Sequence, residues 1–330
     1  MKEIRLDNFT EEFEKSQRIV ITNHTNPDGD AMGSALALQR VLEKLGKTVH
    51  VIVPNPYPKF LWHLTGNDRV MIYSDGKKAA NAEIEGADMI FHLDYNAYHR
   101  SADMEEALRA AQAKKVMIDH HQQPESWPDF IYSDTGMSST CQMIYEFCAM
   151  YNWDQFLDKE SAECLYTGIV TDTGSFKFSV TTSRTHEVAG KLLDLGVESQ
   201  LLQNKIFDSQ PVARLKLLGT MLGQMETSAD GTVVLLYLSK AQCDALGYEK
   251  GITEGFVNFG LSVDGARIAC FMREEEGIVK ISLRSKGLVD VNELARASFN
   301  GGGHKNAAGG RLDTDIAAAL AHAKTHLPWS

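Results

Sequence analysis

The 330-residue chain is short of several features that would classify it at once. Its five cysteines, Cys141, Cys148, Cys164, Cys243 and Cys270, are odd in number and form no C-x-x-C pair. That argues against a disulfide framework and against cysteine zinc ligation, and suits buried thiols in a reducing compartment. No segment approaches the roughly 20 apolar residues that span a bilayer, and Met1–Asp7 lacks the apolar core of a signal peptide. Positive charge is also scarce, since 33 Lys and Arg face 44 Asp and Glu for a net charge of −11. Proteins that track long nucleic acid carry a basic stripe to replace phosphate counterions, so a nuclease acting on long duplexes is disfavoured. The expectation is a soluble cytoplasmic protein, monomer or homodimer, with no membrane partner.

The rest of the composition is that of an ordinary globular protein, with 43% hydrophobic and 23% charged residues, and the length predicts two domains. Residues 1–190 alternate short apolar runs with helical patterns, predicting strands at 18–22, 48–53, 88–93 and 115–118. This is the signature of an α/β fold with a parallel sheet. Ser34 to Leu45 has helix-compatible apolar spacing with Gly46 as a stop, and Met143, Ile144, Phe147 and Met150 mark another helix. Residues 191–214 read as a connecting helix and hinge containing Pro211. Residues 215–330 read as a smaller mixed α/β domain, with runs at 232–238, 266–271 and 278–284 and a hairpin turn at Glu274-Glu275-Glu276-Gly277.

Four acid and histidine clusters punctuate the first part. They are His24-Thr25-Asn26-Pro27-Asp28-Gly29-Asp30, Asp94, Asp119-His120-His121, and Asp172, and each follows an apolar segment. Any one of these residues alone is most simply a cap or a satisfied polar group. Jointly, at strand ends, they point to a metal site, because ligands of parallel sheets collect at the carboxyl ends of the strands. Asp28, Asp30, Asp94, Asp119 and Asp172 would place five carboxylates near one point, an arrangement that repels itself unless cations are bound. Two dications would nearly neutralise it.

Other candidates are less self-evident. Gly301-Gly302-Gly303-His304 lacks the spacing of a nucleotide P-loop, yet glycines allow a backbone to approach a ligand and present N–H groups to an anion. Arg284 at a strand end is by default a solvated charge, and becomes a phosphate clamp if the glycine loop lies beside it. Ser138, Ser139 and Thr140 read as helix caps whose helix N-terminus could also bind a phosphate.

Together these blocks, His24-x3-Asp28-x-Asp30, Asp94, Asp119-His120-His121, Asp172 and Gly301-Gly302-Gly303-His304-x2-Ala307-Ala308-Gly309, closely resemble the DHH phosphoesterase family with its first type of associated C-terminal domain. The resemblance covers the chain in order and is nearest the short bifunctional oligoribonuclease and 3′-phosphoadenosine 5′-phosphate (pAp) phosphatase branch. It implies a metal-dependent hydrolase acting on short oligonucleotides, dinucleotides or nucleotide bisphosphates, with a cyclic-dinucleotide phosphodiesterase or a silent nucleotide-binding module as alternatives. It also implies two divalent ions, Mn²⁺ foremost with Mg²⁺ or Co²⁺ as substitutes. One ion would sit on His24, Asp28 and Asp94, the other on Asp30, Asp94, His120 and Asp172, with Asp94 bridging. His121 would serve the phosphate or leaving oxygen, and Asp119 would orient His120 or act as a ligand itself. Arg284, Gly302, Gly303 and His304, with Ser139 and Arg100, are the candidate substrate-binding residues, in a cleft between the domains.

Overall fold

The computed structural model describes residues 2–329, with the His304 side chain outside the description. The chain forms two compact units that divide between Ser209 and Gln210. Leu192, Val197, Leu202 and Ile206, within the stretch expected to act as a hinge, belong to the first unit's core.

The first unit holds strands β1 (Lys2–Arg5), β2 (Arg18–Thr22), β3 (Thr48–Val53), β4 (Met71–Ile72), β5 (Met89–Leu93), β6 (Lys114–Asp119) and β7 (Phe130–Asp134). They form one sheet in the order β1-β7-β6-β5-β2-β3-β4, parallel throughout except for β1 against β7. The four expected strands lie at its centre. Their near-continuous apolar runs arise because both faces are covered: Ile19, Ile21, Met89 and Phe91 pack into one core, whereas Val20 and Ile90 between them pack into another.

The strand order reverses between β2 and β5. From β2 the chain winds outward through β3 and β4, then returns to β5 and winds the other way through β6 and β7. At such a switch point the loops leaving two adjacent strands part in opposite directions and open a crevice at their carboxyl ends. The His24–Asp30 loop leaves β2 and Asp94 follows β5.

Asp172 is a correction to the strand-end pattern, because it closes a helix, Lys159–Asp172. Ala162, Leu165, Tyr166, Ile169 and Val170 recur at helical spacing and are buried, and Asp158 with Ser161 forms a capping box at its start. This helix packs against Gly29–Lys44 through small residues. A Cβ on Gly29 would lie 2.3 Å from Thr171 Oγ1, one on Gly33 2.4 Å from the Cys164 carbonyl oxygen, and one on Gly168 2.8 Å from Asp30 Oδ1 and 2.1 Å from Cys141 Sγ of the neighbouring helix Thr140–Met150. Only hydrogen at these three positions permits the approach that carries Asp172 to the mouth of the sheet.

The second unit holds β8 (Glu226–Thr227), β9 (Val233–Leu238), β10 (Ile268–Glu274), β11 (Val279–Ser285), β12 (Gly302–His304) and β13 (Ala307–Leu312), in the order β12-β13-β11-β10-β9-β8. The hairpin of β10 and β11 is antiparallel as expected, and β9 joins β10 in parallel. Among the described residues no helix is long and apolar enough to cross a membrane.

Candidate metal centre

The loop after β2 becomes a helix at Gly29 because Asp28 caps it. Its Oδ1 accepts the backbone N–H groups of Asp30 at 3.0 Å and Ala31 at 3.1 Å. His24 is aimed back over the same turn, with Nε2 3.9 Å from Asp28 Oδ1. Asp94, one residue past β5, adopts a left-handed φ of 63°, a conformation that Asp tolerates better than most residues. Its two oxygens face two different imidazoles: Oδ2 lies 3.3 Å from His24 Nε2 and Oδ1 lies 3.5 Å from His120 Nε2.

His120 Nε2 also lies 3.7 Å from Asp30 Oδ2 and 3.5 Å from Asp172 Oδ2. The structure therefore brings all six sequence-nominated ligands into two groups, His24, Asp28 and Asp94 in one and Asp30, His120 and Asp172 in the other. Asp94 stands between them.

Asp119 turns to His121, not to the His120 ring it was expected to orient. Its Oδ1 is 2.7 Å from His121 Nδ1 and its Oδ2 accepts the His121 backbone N–H at 3.0 Å. Asp119 ends β6, and its bond to the amide two residues on turns the chain so that 121 comes back beside it. Arg100 Nη2 sits 3.5 Å from the other ring nitrogen of His121.

Sequence reasoning missed a further support. The helix Thr140–Met150 donates its first amides to Asp30, Thr140 N to Oδ2 at 2.6 Å and Cys141 N to Oδ1 at 2.8 Å, while Thr140 Oγ1 donates to Asp94 Oδ1 at 3.0 Å. This N-terminus, considered from sequence as a phosphate site, thus holds a carboxylate of the protein. Ser139 is fully buried and caps the helix, accepting from Gln142 N at 3.0 Å. The glycines in the two packed helical patterns were the legible hint that something approaches closely there.

Protons and charges are visibly in tension. Burial would push the Asp94 carboxyl up, but His120, His24 and His121 hold it well below its ordinary range. Burial together with Asp94 and Asp172 raises Asp30 well above it. Asp172 is raised to about 7 by burial, against the pull of His120, and it ends a helix, where a negative charge meets the negative pole of the macrodipole. Burial opposes protonation of His24, yet the Asp94 hydrogen bond and the Asp28 and Asp94 charges hold it up at about 9. His120 is likewise raised by Asp94, Asp172 and Asp30 in spite of burial. The mixed imidazole and carboxylate donors fit a transition metal of borderline softness, whose charge such a cluster calls for.

On the second unit, Arg284 sits on β11 opposite Ala307 of β13. Its Nη1 donates to the Leu283 carbonyl at 3.0 Å. Burial lowers its pKa, with Glu254 opposing. The glycines answer first to packing. A Cβ on Gly301 would lie 1.8 Å from the Gly309 carbonyl oxygen and one on Gly303, at φ 151°, 2.5 Å from that of Ala307. The Gly303 N–H is donated to Asn292 Oδ1 at 2.9 Å, whereas a Cβ on Gly302 would meet nothing nearer than 3.6 Å. The His304 side chain lies outside the described residues.

Residues 18–169 match the family model for the DHH family, N-terminal domain, and residues 230–327 match the DHHA1 domain. The chain is 30% identical over 300 residues to the bifunctional oligoribonuclease and PAP phosphatase NrnA of Bacillus subtilis, covering 89% of each chain. It is also 30% identical to the protein of that name from Thermus thermophilus, over 89% of this chain and 84% of the relative. A crystal structure of an exopolyphosphatase-related protein from Bacteroides fragilis superposes with a TM-score of 0.96 at 36% identity, covering 99% of this chain and 97% of that one.

Proposed function

The chain belongs to the DHH family of phosphoesterases, and from that premise we propose that it hydrolyses short oligonucleotides and nucleotide bisphosphates of the pAp type at a two-metal centre. One observation carries the reading: Asp94 directs one oxygen to the His24 side and the other to the His120 side, the posture of a carboxylate shared by two ions. His24, Asp28 and Asp94 would hold one ion, and Asp30, Asp94, His120 and Asp172 the other. The donor set favours manganese, with magnesium or cobalt as substitutes. Bound there, two divalent cations would supply Lewis acidity toward the phosphoryl oxygens and lower the pKa of a water.

The chain's own groups supply the rest. The Asp119 carboxylate accepts the Nδ1–H of His121 and so presents Nε2 outward, where it would take up a proton and pass it to the leaving oxygen. Arg100, beside that nitrogen, is placed to neutralise charge on the same phosphate. Thr140 and Cys141 keep Asp30 from rotating, and Thr140 does the same for Asp94. Arg284, a partly desolvated guanidinium, suits a second phosphate of the substrate, with Gly302 and His304 as its proposed company. Recognition of a second phosphate favours short substrates, and the acidic overall charge disfavours long ones.

The test is Mn²⁺-dependent product release from 5′-phosphorylated diadenylate and from pAp side by side, with a chelated control. Mononucleotide from the dinucleotide, or phosphate from pAp, is the expected result. Absence of metal-dependent product from both would move the reading to a cyclic dinucleotide or to a silent binding module.

A further inference from the structure

The turn that follows Asp172 is built to keep an aromatic ring at the surface. Gly174, Ser175 and Phe176 all have left-handed φ values, 56°, 60° and 66°. Such a run in residues other than glycine persists only where its surroundings over-determine it. Here Thr173 does so: its carbonyl accepts the N–H groups of Lys177 and Phe178, both at 2.9 Å, and its hydroxyl accepts that of Phe176 at 2.9 Å while donating to the Ile169 carbonyl at 2.6 Å. The Ser175 N–H reaches back to the Val170 carbonyl at 2.8 Å.

This turn separates two phenylalanines that an extended chain would send to one side. Phe176 goes inward, stacked on His186 with ring centroids 5.1 Å apart and edge-on to Tyr166 at 6.2 Å. Phe178 goes outward and is 47% exposed. Its ring tip rests on Gly174, where a Cβ would come within 2.6 Å of it, so the bare glycine is what lets the ring lie down there. Core packing accounts for Phe176 and leaves Phe178 unexplained.

Its position supplies the explanation. Gly174 is two peptide units from Asp172, which sets their Cα atoms no more than about 7.6 Å apart. The exposed ring is thus anchored next to a residue of the carboxylate and imidazole cluster, within the length of one nucleotide. We propose that Phe178 is a stacking platform for a nucleobase of the substrate whose phosphate is held at that cluster, and so a specificity-determining residue. The inference rests on the phosphoesterase reading above. Every base has a π-face, so the platform selects nucleotides over bare phosphate esters without choosing among bases.

The test compares hydrolysis of 5′-phosphorylated diadenylate with its two analogues that each lack one base, using the wild-type protein, Phe178→Ala, Phe178→Leu and Phe178→Trp. The wild-type protein is expected to prefer diadenylate over one abasic analogue by roughly 10-fold or more, expressed in KM. Phe178→Ala and Phe178→Leu should lose that preference by weakening diadenylate alone, and Phe178→Trp should keep it. Phe178→Leu preserves apolar bulk, so a melting temperature near that of the wild-type protein separates lost stacking from lost folding. An unchanged preference in both Ala and Leu variants, or an equal loss on all three substrates, overturns the stacking role. Wild-type protein that cleaves none of the three overturns the phosphoesterase reading and this inference with it.

Discussion

Asp119 grips His121 at two points, Oδ1 at 2.7 Å from the ring Nδ1 and Oδ2 at 3.0 Å from the backbone nitrogen, so ring orientation and backbone position are set by one carboxylate. Asp119 is itself fully buried. A carboxylate in this position fixes the tautomer as well as the direction of the imidazole. Asp119→Asn is therefore expected to lower kcat by roughly 10–100-fold while Mn²⁺ affinity changes much less. Steady-state kinetics beside a metal titration checks this, and a matching loss of metal affinity would instead make Asp119 a ligand.

Asp94 and Arg284 should fail differently. Asp94→Ala removes the carboxylate that faces both His24 and His120, so turnover should fall to background and the bound Mn²⁺ per chain should drop. Arg284→Ala should mainly raise KM, because a guanidinium on a non-reacting phosphate would bind it in ground and transition states alike. Equal losses of kcat in the two variants would contradict this division of roles.

The helix contact at Gly168 couples stability to the site. A Cβ there would lie 2.1 Å from Cys141 Sγ and 2.8 Å from Asp30 Oδ1, so Gly168→Ala is expected to cost about 1–3 kcal/mol and to displace Asp30. Removing the thiol as well, in a Gly168→Ala, Cys141→Ala double variant, should restore part of the lost stability, read from chemical denaturation of each protein.

Asp158 ties the start of the Lys159–Asp172 helix to the end of Gly29–Lys44, with Oδ2 2.6 Å from Arg40 Nε and 2.6 Å from Lys44 Nζ. Burial opposes ionisation, but Arg40, Lys44 and Ser161 outweigh it and hold the carboxyl well below its ordinary range. A carboxyl depressed in the folded state adds stability that is fully present above its unfolded pKa and is lost as pH falls toward the folded one. Asp158→Asn keeps a capping oxygen, so it should cost only about 1 kcal/mol at pH 7. The gap from the wild-type protein should narrow once pH drops below about 4, measured by urea denaturation at several pH values.

Much of the frame was readable from local pattern. The runs ending at Thr22, Val53, Leu93 and Asp119 are buried on both faces and therefore continuously apolar, which makes them visible in a sequence. Lys2–Arg5 was not legible as a strand, because it is an exposed edge paired with β7. Phe130–Asp134 was missed because it is short and ends in polar residues. The apolar run before Asp172 looked like those before the other clusters, although its residues at 162, 165, 166, 169 and 170 follow helical spacing.

The sequence by itself determined which side chains could carry the chemistry. His24, Asp28, Asp30, Asp94, His120 and Asp172 were identifiable because so many carboxylates and imidazoles at loop starts have few other uses. Only tertiary structure decided how they meet. Strand order put β2 beside β5 and opened the crevice, hydrogen-only contacts at Gly29, Gly33 and Gly168 brought a helix end to it, and the amides of Thr140 and Cys141 closed around Asp30. It also decided that Asp119 serves His121 and that Phe178 stays outside the core. The physical reason is the same in each case: side-chain chemistry is local and legible, whereas pairing, close approach and exposure depend on residues distant in the chain.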